Sequence, residues 1–272
     1  MLISASWLKK NLNRQDIKVV DASWYLPTSG RSALKEYKKS HIPKAVFFDI
    51  DKVSSRKTLL PHMLPSDSFF EKEVGNLGIR NSDTIIIYCK EGVTSSPRVW
   101  WTFLYFGHKK VFILNGGYKA WRQNGGKQNF GVKKNKPKIY KCKKIRKNLV
   151  VDYDNLVIKN NVDYLVLDAR PKGRFLEKEN EPRPNIGKGK IPGSKSFPFS
   201  NFDINGFLKT KSEIRNIIKS YSNKNKHYVC SCGSGVAACN IALSLHLIGL
   251  SNWTVYDGSW TQWYLKNNLI KV

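Results

Sequence analysis

The chain has 272 residues, enough for one large domain or two of ordinary size, and its 41% apolar content supports packed cores and excludes a disordered chain. No apolar run reaches the ~18–20 residues of a membrane span. The formal net charge of +27 comes from 36 lysines and 11 arginines against 20 acidic residues; these cations are scattered rather than gathered into a stripe, so weak adhesion to polyanions is expected but specific nucleic-acid binding is not.

The opening stretch, Met1 to Lys10, is short and amphipathic and lacks the basic-then-apolar order of a signal peptide, so a cytoplasmic location is expected. Helical spacing around Ser6 to Leu12 precedes a strand at Ile17 to Ala22. His41 to Phe48 reads as a turn feeding a short strand. A helix is predicted over Ser66 to Leu77 with Ser66 as its N-cap, because a serine oxygen there can accept an orphan N–H of the first turn. Thr84 to Cys89 is an uninterrupted apolar run, the pattern of a strand buried on both faces. Ser96-Pro97-Arg98 opens the next helix, since proline is tolerated in a first turn. Val111 to Leu114 is a further strand closed by Asn115-Gly116-Gly117, and Tyr118 to Gln123 begins a helix.

The second half repeats this order. Val166-Leu167-Asp168-Ala169 answers Val19-Val20-Asp21-Ala22, and Lys190-Ile191-Pro192-Gly193 answers His41-Ile42-Pro43-Lys44. Tyr228-Val229-Cys230 answers Ile86-Ile87-Tyr88, and Thr254 to Trp260 answers Ile113 to Tyr118. The matches keep their order at offsets of about 140–150 residues, too long for a solenoid unit, so the chain is read as a duplicated α/β domain. The expected boundaries are 1–124 for the first domain, 125–146 for a glycine-, lysine- and asparagine-rich linker, and 147–272 for the second. The dense basic run from Lys127 to Lys147 is read as the solvated face of that linker.

Chemistry concentrates in Tyr228-Val229-Cys230-Ser231-Cys232-Gly233-Ser234-Gly235-Val236-Ala237-Ala238-Cys239. This reads as strand, tight loop and helix, with Cys232 where the loop leaves the strand. Glycines let successive backbone N–H groups turn toward one point, and a helix N-terminus adds positive potential, a setting that favours an anionic sulfur nucleophile. The five cysteines are an odd number without a small-domain framework, which argues against a disulfide scaffold. Cys230-x-Cys232 is too tight for ordinary metal spacing and no paired histidines accompany it, so no metal or other cofactor is expected. Cys239 is read as a core residue about two turns into the helix, Cys230 as a strand residue and Cys142 as part of the linker.

The repeated order, the Cys232 to Cys239 loop, the closing Asp257-Gly258-Ser259-Trp260 and the motifs Phe47-Phe48-Asp49-Ile50-Asp51, His62-Met63-Leu64-Pro65, Pro97-Arg98-Val99-Trp100-Trp101, Gly173-Arg174-Phe175 and Glu181-Pro182-Arg183-Pro184 together resemble the rhodanese-like sulfurtransferases, with the greatest likeness to their 3-mercaptopyruvate-using branch. The resemblance implies two tandem domains, each a mainly parallel sheet flanked by helices, with the reactive cysteine in the second and the first non-catalytic. Cys232 would take sulfur from a small-molecule donor as a persulfide and pass it to a thiol or thioredoxin-like acceptor or to cyanide. Arg174 and Arg183 match the family's substrate-binding arginines, with Gly233, Gly235 and Val236 supplying loop backbone to the substrate. Asp51, His62 and Ser234 match a proposed relay that would polarise the substrate carbonyl or pass a proton.

Substrate choice also has a physical basis. Thiosulfate-using relatives carry basic residues inside the loop, whereas Gly233-Ser234-Gly235 is uncharged. The carboxylate of mercaptopyruvate instead suits a guanidinium fork. The competing readings are a thiosulfate:cyanide sulfurtransferase and a sulfur-relay or binding module without turnover. A phosphatase of the same fold needs an arginine six positions after the cysteine, where this chain has Ala238, or Ser95 in the first half. Ala237 stands where the family usually has threonine, which removes a loop-bracing hydroxyl. Cys89, in Cys89-Lys90-Glu91-Gly92-Val93, occupies the position of Cys232 in the first half and is expected to be the less reactive of the two, because Glu91 places negative charge where an anionic donor would sit.

Overall fold

A computed structural model describes residues 1–132, 135–160, 162–221 and 226–268. The strands are β1 (Leu2–Ile3), β2 (Ile17–Asp21), β3 (Val46–Phe47), β4 (Thr84–Tyr88), β5 (Val111–Leu114), β6 (Val150–Val151), β7 (Tyr164–Asp168), β8 (Lys195–Ser196), β9 (Asp203–Ile204), β10 (Phe207–Leu208), β11 (His227–Ser231) and β12 (Trp253–Tyr256). The helices are α1 (Ala5–Asn11), α2 (Ala33–Lys39), α3 (Asp67–Asn76), α4 (Ser96–Tyr105), α5 (Gly117–Gln123), α6 (Tyr153–Lys159), α7 (Lys172–Phe175), α8 (Lys211–Lys219), α9 (Ala238–Leu247) and α10 (Ser259–Asn268). No described helix is long and apolar enough to cross a membrane.

Two five-stranded sheets carry the fold, ordered β1-β5-β4-β2-β3 and β6-β12-β11-β7-β8. Their strand pairs are parallel throughout, as expected where helical crossovers return each strand to the same end of the sheet. Central strands buried on both faces read as continuous apolar runs: Ile85, Ile86, Ile87 and Tyr88 of β4 have no exposed surface. The first core gathers Ile17, Val19, Ile86, Leu114 and Trp121, and the second Val166, Val229, Tyr256, Trp260 and Trp263. The Ser66 N-cap forms as expected, accepting from Phe69 N at 3.3 Å.

The chain divides into two compact units, but not at one point in sequence. The first unit holds 1–55, 64–146 and 204–208, and the second holds 56–63, 147–203 and 209–272. The stretch read as a linker, 125–146, therefore lies along the first unit as a strap. Its Tyr140 is 2% exposed and packs edge-on against Phe70 and Phe103, while Lys138 N donates to Gly75 O at 2.9 Å and Arg146 N to Tyr105 O at 2.8 Å. Burying one aromatic ring and pairing these backbone groups gives the strap a fixed course that its glycine- and lysine-rich composition does not announce. Lys133 and Lys134 of the basic run lie outside the described residues.

Candidate active site

Cys232 is the first residue after β11, the strand flanked by β7 and β12, and so sits at the C-terminal edge of a parallel sheet where α/β folds place ligands. The next helix, α9, starts only at Ala238, so six residues separate strand from helix. Cys239 accordingly lies in the first turn of α9 rather than two turns in, with its thiol donating to Gly235 O at 3.2 Å. Gly235 holds φ +80°, a conformation open to glycine at little cost. Ala237, at the N-cap of α9, makes no side-chain cap bond, consistent with the lost hydroxyl noted in the sequence.

The start of α10 shapes the loop from behind. Trp260 N donates to Cys232 O at 2.9 Å, and both Thr261 N (3.0 Å) and Thr261 Oγ1 (2.7 Å) donate to Gly233 O. Ser259 Oγ accepts from Cys232 N at 3.1 Å and donates to Tyr256 O at 2.9 Å. Ser259 holds φ +49°, which costs a non-glycine residue roughly 1–2 kcal/mol, a cost those two hydrogen bonds offset. With the first two loop carbonyls engaged by α10, the N–H groups of Gly233, Ser234, Val236 and Ala237 have no acceptor among the described residues. Gly233, Ser234 and Val236 are buried, and buried N–H groups without partners are rare because each forfeits its hydration. Buried, unpaired N–H groups in the loop that follows a cysteine are the donors from which an anion site can be built. Ser259 belongs to the closing Asp257-Gly258-Ser259-Trp260 motif, but its role, like that of Thr261, depends on backbone geometry that no local pattern reveals.

Two guanidinium groups flank this loop. A Cβ placed on Gly233 would lie 2.9 Å from Arg174 Nη2 and 4.0 Å from Arg183 Nη1, so both arginines lie beside the loop and glycine there makes room for Arg174. Arg174, on the short helix α7, pairs with Glu181, whose side chain is 4% exposed. Glu181 also accepts from Arg170 Nη1 at 2.7 Å, and Arg170, 1% exposed, forks onto Asp168 at 2.8–3.1 Å. Burial pushes the Arg170 guanidinium down, but Asp168 and Glu181 outweigh it and hold it above its usual value. The Asp168–Arg170–Glu181–Arg174 chain fixes one of the two arginines at the loop. In sequence Asp168 is visible only as a repeated strand end and Glu181 only within the arginine motif, and nothing there marks Arg170.

His62 belongs to the 56–63 segment of the second unit, not to the first half as sequence position suggested. It is 4% exposed, and its Nδ1 lies 3.0 Å from Ser234 Oγ and 3.3 Å from Ser234 O. The structure thus brings Cys232, Gly233, Ser234, Gly235, Val236, His62, Arg174 and Arg183 into one unit. Asp51 lies in the first unit, where Trp24 Nε1 donates to its two oxygens at 3.1 and 3.2 Å. Among the described residues no group of three or more His, Cys, Asp or Glu side chains could hold a metal ion.

The Cys89 loop is arranged differently. Its thiol donates to Gly92 O at 3.2 Å, with Glu91 O at 3.9 Å, and a single N–H, from Thr94, points back at 3.4 Å. A Cβ on Gly92 would collide with the backbone of Gly206, so residues 204–208 pack directly over the loop. The Cys89 thiol is thus spent on loop carbonyls, and Gly206 closes over the loop beside it. Burial pushes the Cys230 thiol well up, and burial, Glu71 and Asp67 push the partly exposed Cys142 thiol up to about 12. A thiol-specific reagent at limiting dose is therefore expected to modify Cys232 first, as read by peptide mass mapping; equal modification of Cys89 would defeat this ranking.

The rhodanese-like domain description matches the chain twice, at residues 4–124 and 150–266. The chain is 38% identical over 276 residues to the 3-mercaptopyruvate sulfurtransferase of Mus musculus, covering 97% of this chain and 92% of that protein. It is 38% identical over 293 residues to the mitochondrial thiosulfate/3-mercaptopyruvate sulfurtransferase 1 of Arabidopsis thaliana, covering 98% of this chain and 77% of the relative. Among solved structures, SseA from Escherichia coli, described with the rhodanese fold of 3-mercaptopyruvate sulfotransferases, superposes with a TM-score of 0.87 at 31% identity, covering 95% of this chain and 98% of SseA.

Proposed function

Since this chain belongs to the two-domain rhodanese-like family and is a sulfur-transferring enzyme, we propose that it takes sulfur from 3-mercaptopyruvate through a Cys232 persulfide. The observation that carries this reading is the run of unpaired, mostly buried N–H groups in the loop that follows Cys232, with two guanidiniums beside that loop. The Cys232 thiolate attacks the sulfur of the donor, and the carbon–sulfur bond breaks with its electron pair passing to the substrate carbon. The resulting pyruvate enolate takes up a proton and leaves as pyruvate. Arg174 and Arg183 hold the substrate carboxylate in this scheme, a bidentate task suited to their planar forks. Ser234, hydrogen-bonded to His62, donates to the carbonyl as it becomes an enolate oxygen. The outer persulfide sulfur carries negative charge, which the loop N–H groups stabilise as they did the thiolate. A thiol acceptor, on a small molecule or a thioredoxin-like protein, or cyanide then attacks that outer sulfur and restores the Cys232 thiolate.

The neutral Gly233-Ser234-Gly235 interior favours a donor whose charge sits at one end, away from the transferred sulfur, over the compact dianion thiosulfate. Measured side by side, kcat/KM for 3-mercaptopyruvate is expected to exceed that for thiosulfate by at least about tenfold, the value of one charge-assisted hydrogen bond. A clear preference for thiosulfate would overturn the substrate assignment while leaving sulfur transfer intact.

A further inference from the structure

The basic run from Lys127 to Lys147 does more than face solvent. Its distal part returns to the end of α4: Lys143 N donates to Phe106 O at 3.2 Å, Arg146 N to Tyr105 O at 2.8 Å, and Asn81 Nδ2 to Lys141 O at 2.7 Å. Gly107 holds φ +82°, and a Cβ there would collide with Lys143 O, so strap and helix end meet backbone to backbone. The junction leaves a concavity of about 450 Å³ lined by Lys109, Lys110, Lys143, Lys144 and Arg146, together with Asn81. All five cations are exposed, and among the described residues none is ion-paired. The neighbouring carboxylates are already engaged, Asp83 by Arg80 at 3.1 Å and Glu71 by Lys141 at 2.8 Å.

Cations at a helix C-terminus complement its dipole, but the last carbonyls of α4 are already capped. Phe106 N, Gly107 N and His108 N donate to Thr102, Leu104 and Phe103 carbonyls at 2.9–3.1 Å. Five like charges around one hollow repel one another, and that repulsion is relieved by an anion carrying several charges of its own. We propose that this hollow binds a compact polyanion, a chain of three or more condensed phosphoryl groups. Lysines act as point charges on phosphate oxygens and Arg146 adds a bidentate fork. An extended nucleic-acid strand fits less well: the cations fill a bounded hollow rather than a stripe, and the single aromatic ring in its lining, His108, is buried and engaged with Tyr140 and Asp83 O, leaving no face for base stacking.

Sodium tripolyphosphate is the probe, titrated calorimetrically into the full chain at physiological ionic strength. One equivalent is expected to bind, at least about tenfold more tightly than orthophosphate, since several phosphoryl groups meet several cations. Lys109→Glu combined with Lys143→Glu is expected to weaken binding by at least about tenfold, whereas Lys38→Glu with Lys39→Glu, an equal charge change on α2, leaves it within about twofold. Both variants are expected to retain sulfur transfer and melting temperature. If charge reversal disturbs folding, Lys109→Gln with Lys143→Gln is expected to give a partial loss in the same direction. Equal loss in the site and control variants, or binding of several equivalent ions, would show only the field of the whole protein and overturn the site. Tighter binding of a single-stranded RNA oligonucleotide, with the same sensitivity to Lys109 and Lys143, would overturn the compact-polyanion assignment.

Discussion

Replacing Cys232 with serine is expected to lower pyruvate release from 3-mercaptopyruvate by on the order of 10⁴-fold or more, the scale seen when a covalent nucleophile is removed. Serine is nearly isosteric, and the contacts that hold the loop use backbone atoms, Cys232 N to Ser259 Oγ and Cys232 O from Trp260 N. The variant is therefore expected to fold with an unchanged melting temperature, separating chemistry from stability. A hydroxyl at the same position stays protonated at neutral pH and cannot carry the transferred sulfur, so the residual rate reports what the loop and the arginines do without a nucleophile. Incubated with donor alone, the native protein is expected to gain the mass of one sulfur atom on the peptide bearing Cys232, and the variant to gain none. Retained turnover in the variant would move the chemistry to another cysteine, with Cys89 the first to test.

Arg183→Ala is expected to raise the KM for 3-mercaptopyruvate by roughly 10- to 100-fold with a smaller change in kcat, from losing a charge-assisted hydrogen-bonded pair worth about 1.5–3 kcal/mol. Arg174 is tied to Glu181, so its loss would leave a nearly buried carboxylate with Arg170 as its remaining guanidinium and mix structural damage with lost binding. Arg183→Lys retains the charge without the planar fork and is expected to recover part of the affinity. A KM unchanged in Arg183→Ala would remove that residue from substrate binding and leave Arg174 to carry the carboxylate alone.

Much of the architecture was legible in one dimension. Buried parallel strands declare themselves as apolar runs such as Thr84 to Tyr88, helix starts as capping residues such as Ser66, and the candidate loop as a cysteine followed by Gly-Ser-Gly between strand and helix. Each depends on neighbours a few residues apart, whose spacing the sequence states directly. In sequence the two cysteine loops differ in charge, through Glu91; in the fold they differ also in backbone hydrogen bonding. Around Cys89 carbonyls turn to the sulfur, whereas at Cys232 α10 draws the first two carbonyls away and leaves N–H groups unpaired.

Longer-range placements had no such local signature. His62 joins Ser234 because the 56–63 segment packs with the second unit, residues 204–208 cover the Cys89 loop in the first, and the strap over 125–146 is fixed by Tyr140 and a handful of backbone bonds. The Asp168–Arg170–Glu181 chain that holds Arg174 is likewise built from residues whose meeting depends on loop paths. Sequence patterns encode the periodicity and the turn chemistry of each element. Which distant backbone turns its donors or acceptors toward a given side chain is set by packing of the folded chain, and that packing is what distinguishes the surroundings of Cys232 from those of Cys89.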